Sequence, residues 1–269
     1  MLAVLTPREE LIWVKTRLDK LLVDRGLTPS RDRAQALILA GKVLVNEQRI
    51  EKAGASIDSG SSLRLLSDDL RYVSRGGLKL EKALAHWLVD LQGKVCLDVG
   101  ASTGGFSDCM LQHGAAKVIA IDTGYGQMDF GLRNNPRIRL LEKTNARYLE
   151  AADVGEPIDF IAMDVSFISA TLVLPAVIRA ASSCVIPTSK LVRQIVVLVK
   201  PQFEAGRELV GKGGIVRDES AQRAAVAKVE GALLQLGCAH AEWIESPILG
   251  GEGNREFLLH AEFSPPALR

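Results

Sequence analysis

Asp98-Val99-Gly100-Ala101-Ser102-Thr103-Gly104-Gly105-Phe106-Ser107-Asp108 is the stretch on which the reading of the whole chain turns. It follows the apolar run Val95–Val99 and precedes a segment with helical periodicity. Its glycines therefore fall at a strand-to-helix turn, where open parallel sheets bind nucleotides. Gly100, Gly104 and Gly105 carry no Cβ and let the backbone approach a ligand closely. The GxxxGG spacing departs from the GxGxxG of dinucleotide sites, and no lysine stands where a triphosphate site needs one. S-adenosylmethionine fits this pattern better. It needs no pyrophosphate cradle, but it does need amides for its carboxylate, and a helix start supplies them. Asp122 ends the next apolar run and is placed to accept both ribose hydroxyls of an adenosine. The glycines alone also describe a turn that holds no ligand; Asp122 favours the bound adenosine.

Working outward from this turn, strand-like and helix-like segments alternate, which predicts a parallel sheet with helices packed on it. Strands are expected at Val95–Val99, Lys117–Asp122, Ile138–Leu141, Ile158–Asp164, Ile195–Lys200, Ala241–Ile244 and Arg255–Ala261. Helices are expected over Gly77–Leu91 and near residues 104–113, 169–182 and 219–236. The fold class is α/β: a Rossmann-like, class I methyltransferase arrangement with seven strands, mostly parallel and the last antiparallel.

Toward the N-terminus the character changes. Arg17–Asp24 reads as a short amphipathic helix with Leu18, Leu21 and Leu22 on one face, ended at Gly26. Ser30 caps a second helix from Arg31 to about Ala40, which buries Ala34, Leu37 and Ile38 and stops at Gly41. A strand over residues 42–46, a turn at Glu47–Arg49 and a strand near Ser62–Leu66 complete a small α+β unit. The expected organisation is an unassigned extension at residues 1–14, a domain at 15–66, a polar linker at 67–75 and the large domain at 76–269.

Composition narrows the function classes. Lys+Arg 33 against Asp+Glu 32 leaves a net charge of +1, so any polyanion-binding surface must be local. Residues 15–66 hold ten Lys/Arg against six Asp/Glu, which places the basic excess in that short segment. Cys96, Cys109, Cys184 and Cys238 are scattered, which argues against a disulfide framework or a metal site and fits a reducing cytoplasm. The longest apolar runs, such as Ile195–Val199, have the length of strands, far below the ~20 residues of a spanning helix. No export signal or membrane segment is read from the first residues.

Four charged residues gain meaning once this topology is drawn. Asp164 closes the fourth strand and Lys200 the fifth, so both project from the carboxyl edge of the sheet. Glu256 opens the last strand, whose start lies on the same edge if the strand is antiparallel. Lys79 sits in the first turn of a helix returning toward that edge. Singly, each is a surface charge at the end of an element; jointly they place alternating charges beside the expected cofactor. A ribose hydroxyl attacking a methyl sulfonium must be oriented and relieved of its proton, and an amine does both. Lys200 is read as the general base, with Asp164 and Glu256 holding the lysines.

The ordered motifs RLDKLLVDRGLTPSRDRAQALILAGKVLVN, YVSRGGLKLEKAL, LDVGASTGGFSDCMLQHGA, AIDTGYGQMD, MDVSFIS, VKPQFEAGRE, KGGIVRD and SPILGGEGNREFLL resemble the TlyA-type family from Thr16 to Glu262. These proteins are known as haemolysins and as ribosomal RNA methyltransferases, and their catalytic domain is similar to FtsJ, a ribosomal RNA 2′-O-methyltransferase. The resemblance implies a 2′-O-ribose methyltransferase whose partner is ribosomal RNA or a ribosomal subunit. It also implies that the Lys-Asp-Lys-Glu tetrad of FtsJ-type enzymes falls on Lys79, Asp164, Lys200 and Glu256. Cofactor contacts carry over to Asp98, Gly100, Ser102, Gly104, Phe106, Asp122 and Asn145. The first motif resembles the RNA-binding domain of small-subunit ribosomal protein four, which points to Arg17, Lys20, Arg31, Arg33 and Lys42 as RNA contacts.

Two departures from the family pattern stand out. Residues 182–193 lack the glycine turn that leads into the fifth strand, and Tyr72 stands where some relatives carry Trp. The rival readings are a membrane-active haemolysin and an RNA-binding ribosome factor whose methyltransferase domain is silent.

Overall fold

A computed structural model describes residues 15–28, 30–66, 71–183, 193–250 and 253–263. The chain divides into two units, residues 1–70 and 71–269.

In the first unit β1 (Lys15–Arg17) leads directly into α1 (Leu18–Asp24), and α2 (Arg31–Leu39) follows after Gly26 turns the chain at φ 68°. Ser30 Oγ accepts the Arg33 N–H at 3.2 Å, which satisfies one of the amides a helix start leaves open. Gly41, at φ 65°, closes α2, with Lys42 N–H returning to the Leu37 carbonyl. Then come β2 (Val43–Val45), β3 (Gln48–Arg49), β4 (Ser56–Asp58) and β5 (Leu63–Leu65). The turn is tighter than expected. Asn46 and Glu47 both take positive φ, so Gln48 and Arg49 already pair with β2 as a two-residue hairpin. β5 pairs with the other edge of β2, and β1 pairs with β4, a contact that the hydrophobic pattern does not announce. Leu18, Leu22, Ala34, Ile38, Val43 and Val45 form the core.

The second unit contains α3 (Gly76–His86), β6 (Val95–Val99), α4 (Gly105–Gln112), β7 (Lys117–Ile121), α5 (Phe130–Arg133), β8 (Ile138–Leu141), α6 (Ala151–Val154), β9 (Phe160–Met163), α7 (Ala170–Ser183), β10 (Arg193–Val199), α8 (Pro201–Glu204), α9 (Glu219–Gln235), β11 (Ala239–Glu245) and β12 (Phe257–Phe263). The sheet order is β11-β12-β10-β9-β6-β7-β8. β10, β9, β6, β7 and β8 are parallel, and β12 inserts antiparallel between β10 and β11. This is the expected seven-stranded sheet with its last strand reversed.

Both faces of the sheet are covered. Leu97, Ile119, Ile161 and Val197 face the core packed by α7 and α9, while Cys96, Val118, Phe160 and Val196 face the side of α3 and α4. The near-continuous apolar runs are what a parallel sheet buried on both sides requires. Because β6 leads to β7 in one direction and β9 lies on its other side, the order of the strands reverses between β6 and β9. A crevice outside the carboxyl ends follows from that topology.

One expected helix is corrected. The helix foreseen over Gly77–Leu91 ends at His86: Leu88 takes φ 52°, the Val89 N–H turns back to the Leu84 carbonyl, and Val89 and Leu91 continue the apolar pattern without helix. Within the stretch expected as a polar linker, Tyr72 is buried at 2% exposure against Gly77, where any Cβ would lie 2.2 Å from its ring. The short helices α5, α6 and α8 have no counterpart in the sequence reading, since four residues carry too little periodicity to register. Expectations for residues 1–14, for linker residues 67–70 and for the entry to the fifth strand at 184–192 lie outside the described residues. Among the described residues no helix is long and apolar enough to cross a membrane.

Candidate active site

The chain leaves β6 at Gly100 and β9 at Asp164, and these exits touch. A Cβ on Gly100, whose φ is 89°, would lie 2.3 Å from the Asp164 carbonyl oxygen. Only glycine allows the two strand ends to close in this way. Two cavities meet there. One, of about 390 Å³, is lined by Asp122, Asn145, Ser166, Phe167 and Ile168 among others; the second, of about 240 Å³, by Ser74, Lys79, Gly105 and Phe106. Gly100, Ser102 and Asp164 line both.

Asp122 is held rigidly. Its Oδ2 accepts the Ser102 N–H at 2.7 Å and its Oδ1 accepts the Gly124 N–H at 2.6 Å. Each carboxylate oxygen retains acceptor capacity toward the larger cavity. Ser102 takes φ 47° to aim its amide at this carboxylate, so that amide is committed to organising the site. Asn145 caps a short 3-10 turn, Ala146–Tyr148, by accepting the Arg147 N–H at 3.1 Å, and lines the larger cavity. The smaller cavity opens on the start of α4, whose first amides have no partner within the helix.

Two of the residues expected at the cofactor line neither cavity. Asp98 is fully buried and lines neither cavity, because its alternation along β6 turns it toward α4. Its Oδ2 accepts the Ser107 hydroxyl at 2.6 Å, while Oδ1 has no partner among the described residues. Burial pushes the Asp98 carboxyl up to about 7, against the lowering by Ser107, and the negative charges of Asp164 and Asp122 add to the rise. Gly104 also lines neither cavity. It takes φ 94° ahead of α4, where a side chain would meet Leu132.

The four charged residues assemble as two ion pairs. Lys79 Nζ lies 2.5 Å from Glu256 Oε2, with both side chains largely buried. Lys200 Nζ lies 2.6 Å from Asp164 Oδ1. That approach is an ion pair by distance only, because Asp164 Oδ1 has no partner within hydrogen-bond geometry. The directed hydrogen bond of Lys200 goes to Ser166 Oγ at 2.7 Å. Lys79 and Asp164 line the same cavity, so the two pairs face one space. Ser166 is absent from the sequence-derived set; its place two residues after Asp164 in MDVSFIS is the signal that could have found it.

In the first unit the expected RNA contacts behave differently from one another. Arg17 reaches Asp19 through Nε at 3.0 Å and Nη2 at 2.9 Å, and Arg31 Nη2 and Gln35 Nε2 reach the same carboxylate at 3.0 and 2.9 Å. Asp19 is fully buried and held well below the usual carboxylate range, chiefly by Arg17. Both arginines remain about half exposed, with their heads fixed by this shared anchor. Lys20 and Lys42 are exposed. Arg33 is half-buried, and its Nη2 is enclosed with no partner among the described residues, so it is not a free surface charge.

Both units of the chain are similar to known proteins. Residues 72–263 match the model of the FtsJ-like methyltransferase family, and residues 16–62 match that of the S4 domain. The chain is 47% identical to Bacillus subtilis YqxC, by name a candidate rRNA methyltransferase, over 91% of this chain and 85% of that protein. It is 42% identical to Mycobacterium tuberculosis TlyA, named a 16S/23S rRNA (cytidine-2′-O)-methyltransferase, over 91% and 89%. A solved structure of a candidate hemolysin from Streptococcus thermophilus is 43% identical, covers 93% of this chain and 89% of that one, and gives a TM-score of 0.69. With a reversed last strand, a glycine turn over α4 and a Lys-Asp-Lys-Glu set at the carboxyl edge, this chain belongs to the FtsJ-like methyltransferase family and carries an S4 domain ahead of its catalytic domain.

Proposed function

We propose that this chain methylates a ribose 2′-hydroxyl of ribosomal RNA in the cytoplasm, with S-adenosylmethionine as methyl donor. The observation that carries the reading is the pairing of Lys79 with Glu256 and of Lys200 with Asp164 around one cavity at the sheet's switch point. The residues present fit the cofactor. Asp122 offers two oriented carboxylate oxygens for ribose hydroxyls, the start of α4 offers amides for a carboxylate, and Gly100 keeps the floor free of side chains. When bound, the cofactor supplies an electrophilic methyl group on a sulfonium.

The remaining work falls to the chain. Lys200 Nζ, once it has released its own proton to solvent, orients the ribose hydroxyl as a neutral amine and takes the hydroxyl proton as the oxygen attacks. Asp164 and Ser166 fix the position of that amine. Lys79, locked by Glu256, places a positive charge where the hydroxyl oxygen gains negative charge. Arg17 and Arg31, anchored on Asp19, present fixed guanidinium groups to phosphates. The relatives named rRNA (cytidine-2′-O)-methyltransferases support cytidine as the target nucleoside.

The test is transfer of labelled methyl groups from S-adenosylmethionine to purified ribosomal subunits, followed by digestion to nucleosides. Label in 2′-O-methylcytidine is expected. Label in a base, or none in RNA, would refute the reading.

A further inference from the structure

The Asp164–Ala170 segment after β9 and the Lys200–Glu204 segment after β10 are the two lips of the site, and they are stitched together at three points. Lys200 Nζ reaches Asp164 and Ser166. The ring of Phe203 packs against that of Phe167, with centroids 5.3 Å apart. Glu204 makes the third stitch. Its Oε2 accepts the Ser169 hydroxyl at 2.5 Å and its Oε1 accepts the Ala170 N–H at 2.6 Å. The Glu204 side chain is 2% exposed, and its charge lies at the start of α7, a fourteen-residue helix, where negative charge is favoured. A buried carboxylate is costly unless its oxygens are satisfied; here the opposite lip donates to both, and the Lys228 ammonium on α9 lies 3.2 Å from Oε2.

We propose that Glu204 is a positioning residue for methyl transfer: it clamps the Asp164–Ala170 segment to the Lys200–Glu204 segment and so sets Lys200 Nζ against Asp164 and Ser166. Glu204 stands four residues after Lys200, and α8 between them is a single turn begun by Pro201, so a shift at one end is transmitted to the other. The inference rests on the proposed role of Lys200. It goes beyond that role in assigning the geometry of the amine to a group outside both cavities.

Single-turnover methyl transfer at saturating cofactor and RNA tests this, with cofactor affinity and RNA KM measured alongside. Glu204→Ala is expected to lower the rate on the order of 10- to 100-fold, as displacement of a catalytic group by about 1 Å does, with cofactor Kd and RNA KM within about twofold of the parent. Glu204→Gln keeps an oxygen for the Ala170 N–H and an amide that donates to Ser169, and should restore most of the rate. Ser169→Ala removes one stitch only and should give an intermediate loss, which keeps the test decisive if Glu204→Ala unfolds. In a Lys200→Ala background, Glu204→Ala should cost nothing further, because both act on one step. Rates near the parent's in folded Glu204→Ala, or losses that multiply with those of Lys200→Ala, would overturn the proposal while leaving the role of Lys200 intact. A parent protein that transfers no methyl group to ribose would overturn the functional reading, and this inference with it.

Discussion

Lys79 Nζ and Glu256 Oε2 lie 2.5 Å apart although 177 residues separate them in the chain. One stands in the first turn of α3 and the other just ahead of β12, and both side chains are nearly excluded from water. Removing one partner leaves a buried charge uncompensated, which typically costs about 3–5 kcal/mol. Lys79→Met or Glu256→Leu alone should therefore destabilise the catalytic domain strongly in denaturant titrations. The double variant should be much less affected than the sum of the two. Additive losses would show that the pair is not coupled.

Lys200 should matter for chemistry and little for binding. Lys200→Ala is expected to lower the single-turnover rate on the order of 10² to 10⁴, the usual contribution of a general base, with cofactor affinity retained. Lys200→Arg should not rescue, since a guanidinium stays protonated and cannot accept the proton. Near-normal rates in either variant would exclude Lys200 as the base and move attention to Lys79.

Asp122→Ala should weaken S-adenosylmethionine binding by roughly 1.5 to 3 kcal/mol for each charge-assisted hydrogen bond lost, read by titration calorimetry. The variant also strands the Ser102 and Gly124 amides that Asp122 accepts. Asp122→Asn, which keeps one acceptor oxygen, should lose less. Unchanged affinity in a folded Asp122→Ala protein would show that this carboxylate does not hold the ribose.

Asp98 makes the pH dependence of stability specific. Its carboxyl is raised to about 7 in the folded protein by burial, so the native state binds this proton more tightly than the unfolded chain does. The stability this group contributes is fully present below about pH 4 and is lost as pH rises toward 7, at up to about 1.4 kcal/mol per pH unit. Asp98→Asn abolishes the ionisation. The Tm of the variant relative to that of the parent should therefore rise between pH 5 and pH 8; a constant difference would refute the neutral buried carboxyl.

In the S4 domain, Arg17→Gln and Arg31→Gln should each weaken RNA binding and reduce the slope of log affinity against log salt by about 1. Catalytic-domain affinity for the cofactor should not change. Charge reversal at Arg31 is a poorer probe, because a carboxylate there would face buried Asp19. Arg33→Gln should perturb stability as well as binding, since part of its guanidinium is enclosed.

How much of this was legible in the sequence depends on how local the cause is. β6 and β8 begin and end where their apolar runs do, and the Ser30 cap and the Gly26 and Gly41 stops are decided within a few residues. The convergence of Lys79, Asp164, Lys200 and Glu256 was legible because the topology brings the strand ends and the start of α3 to one edge. The early end of α3 was not, since Val89 and Leu91 stay buried after Leu88 has left helical geometry and so prolong the pattern. Nor were the shared anchor at Asp19 and the clamp at Glu204. Each depends on which side chain a distant element offers, and periodicity carries no such information.

The Lys200 site is proposed to methylate ribose in ribosomal RNA. Its most direct test is a map of 2′-O-methyl groups across ribosomal RNA from cells with this protein, without it, and with the Lys200→Ala form supplied in its place. At least one cytidine 2′-O-methyl group should be present with the parent protein and missing in both other cases. Identical maps in all three, or a site restored by Lys200→Ala, would rule out ribose methylation by the Lys200 site.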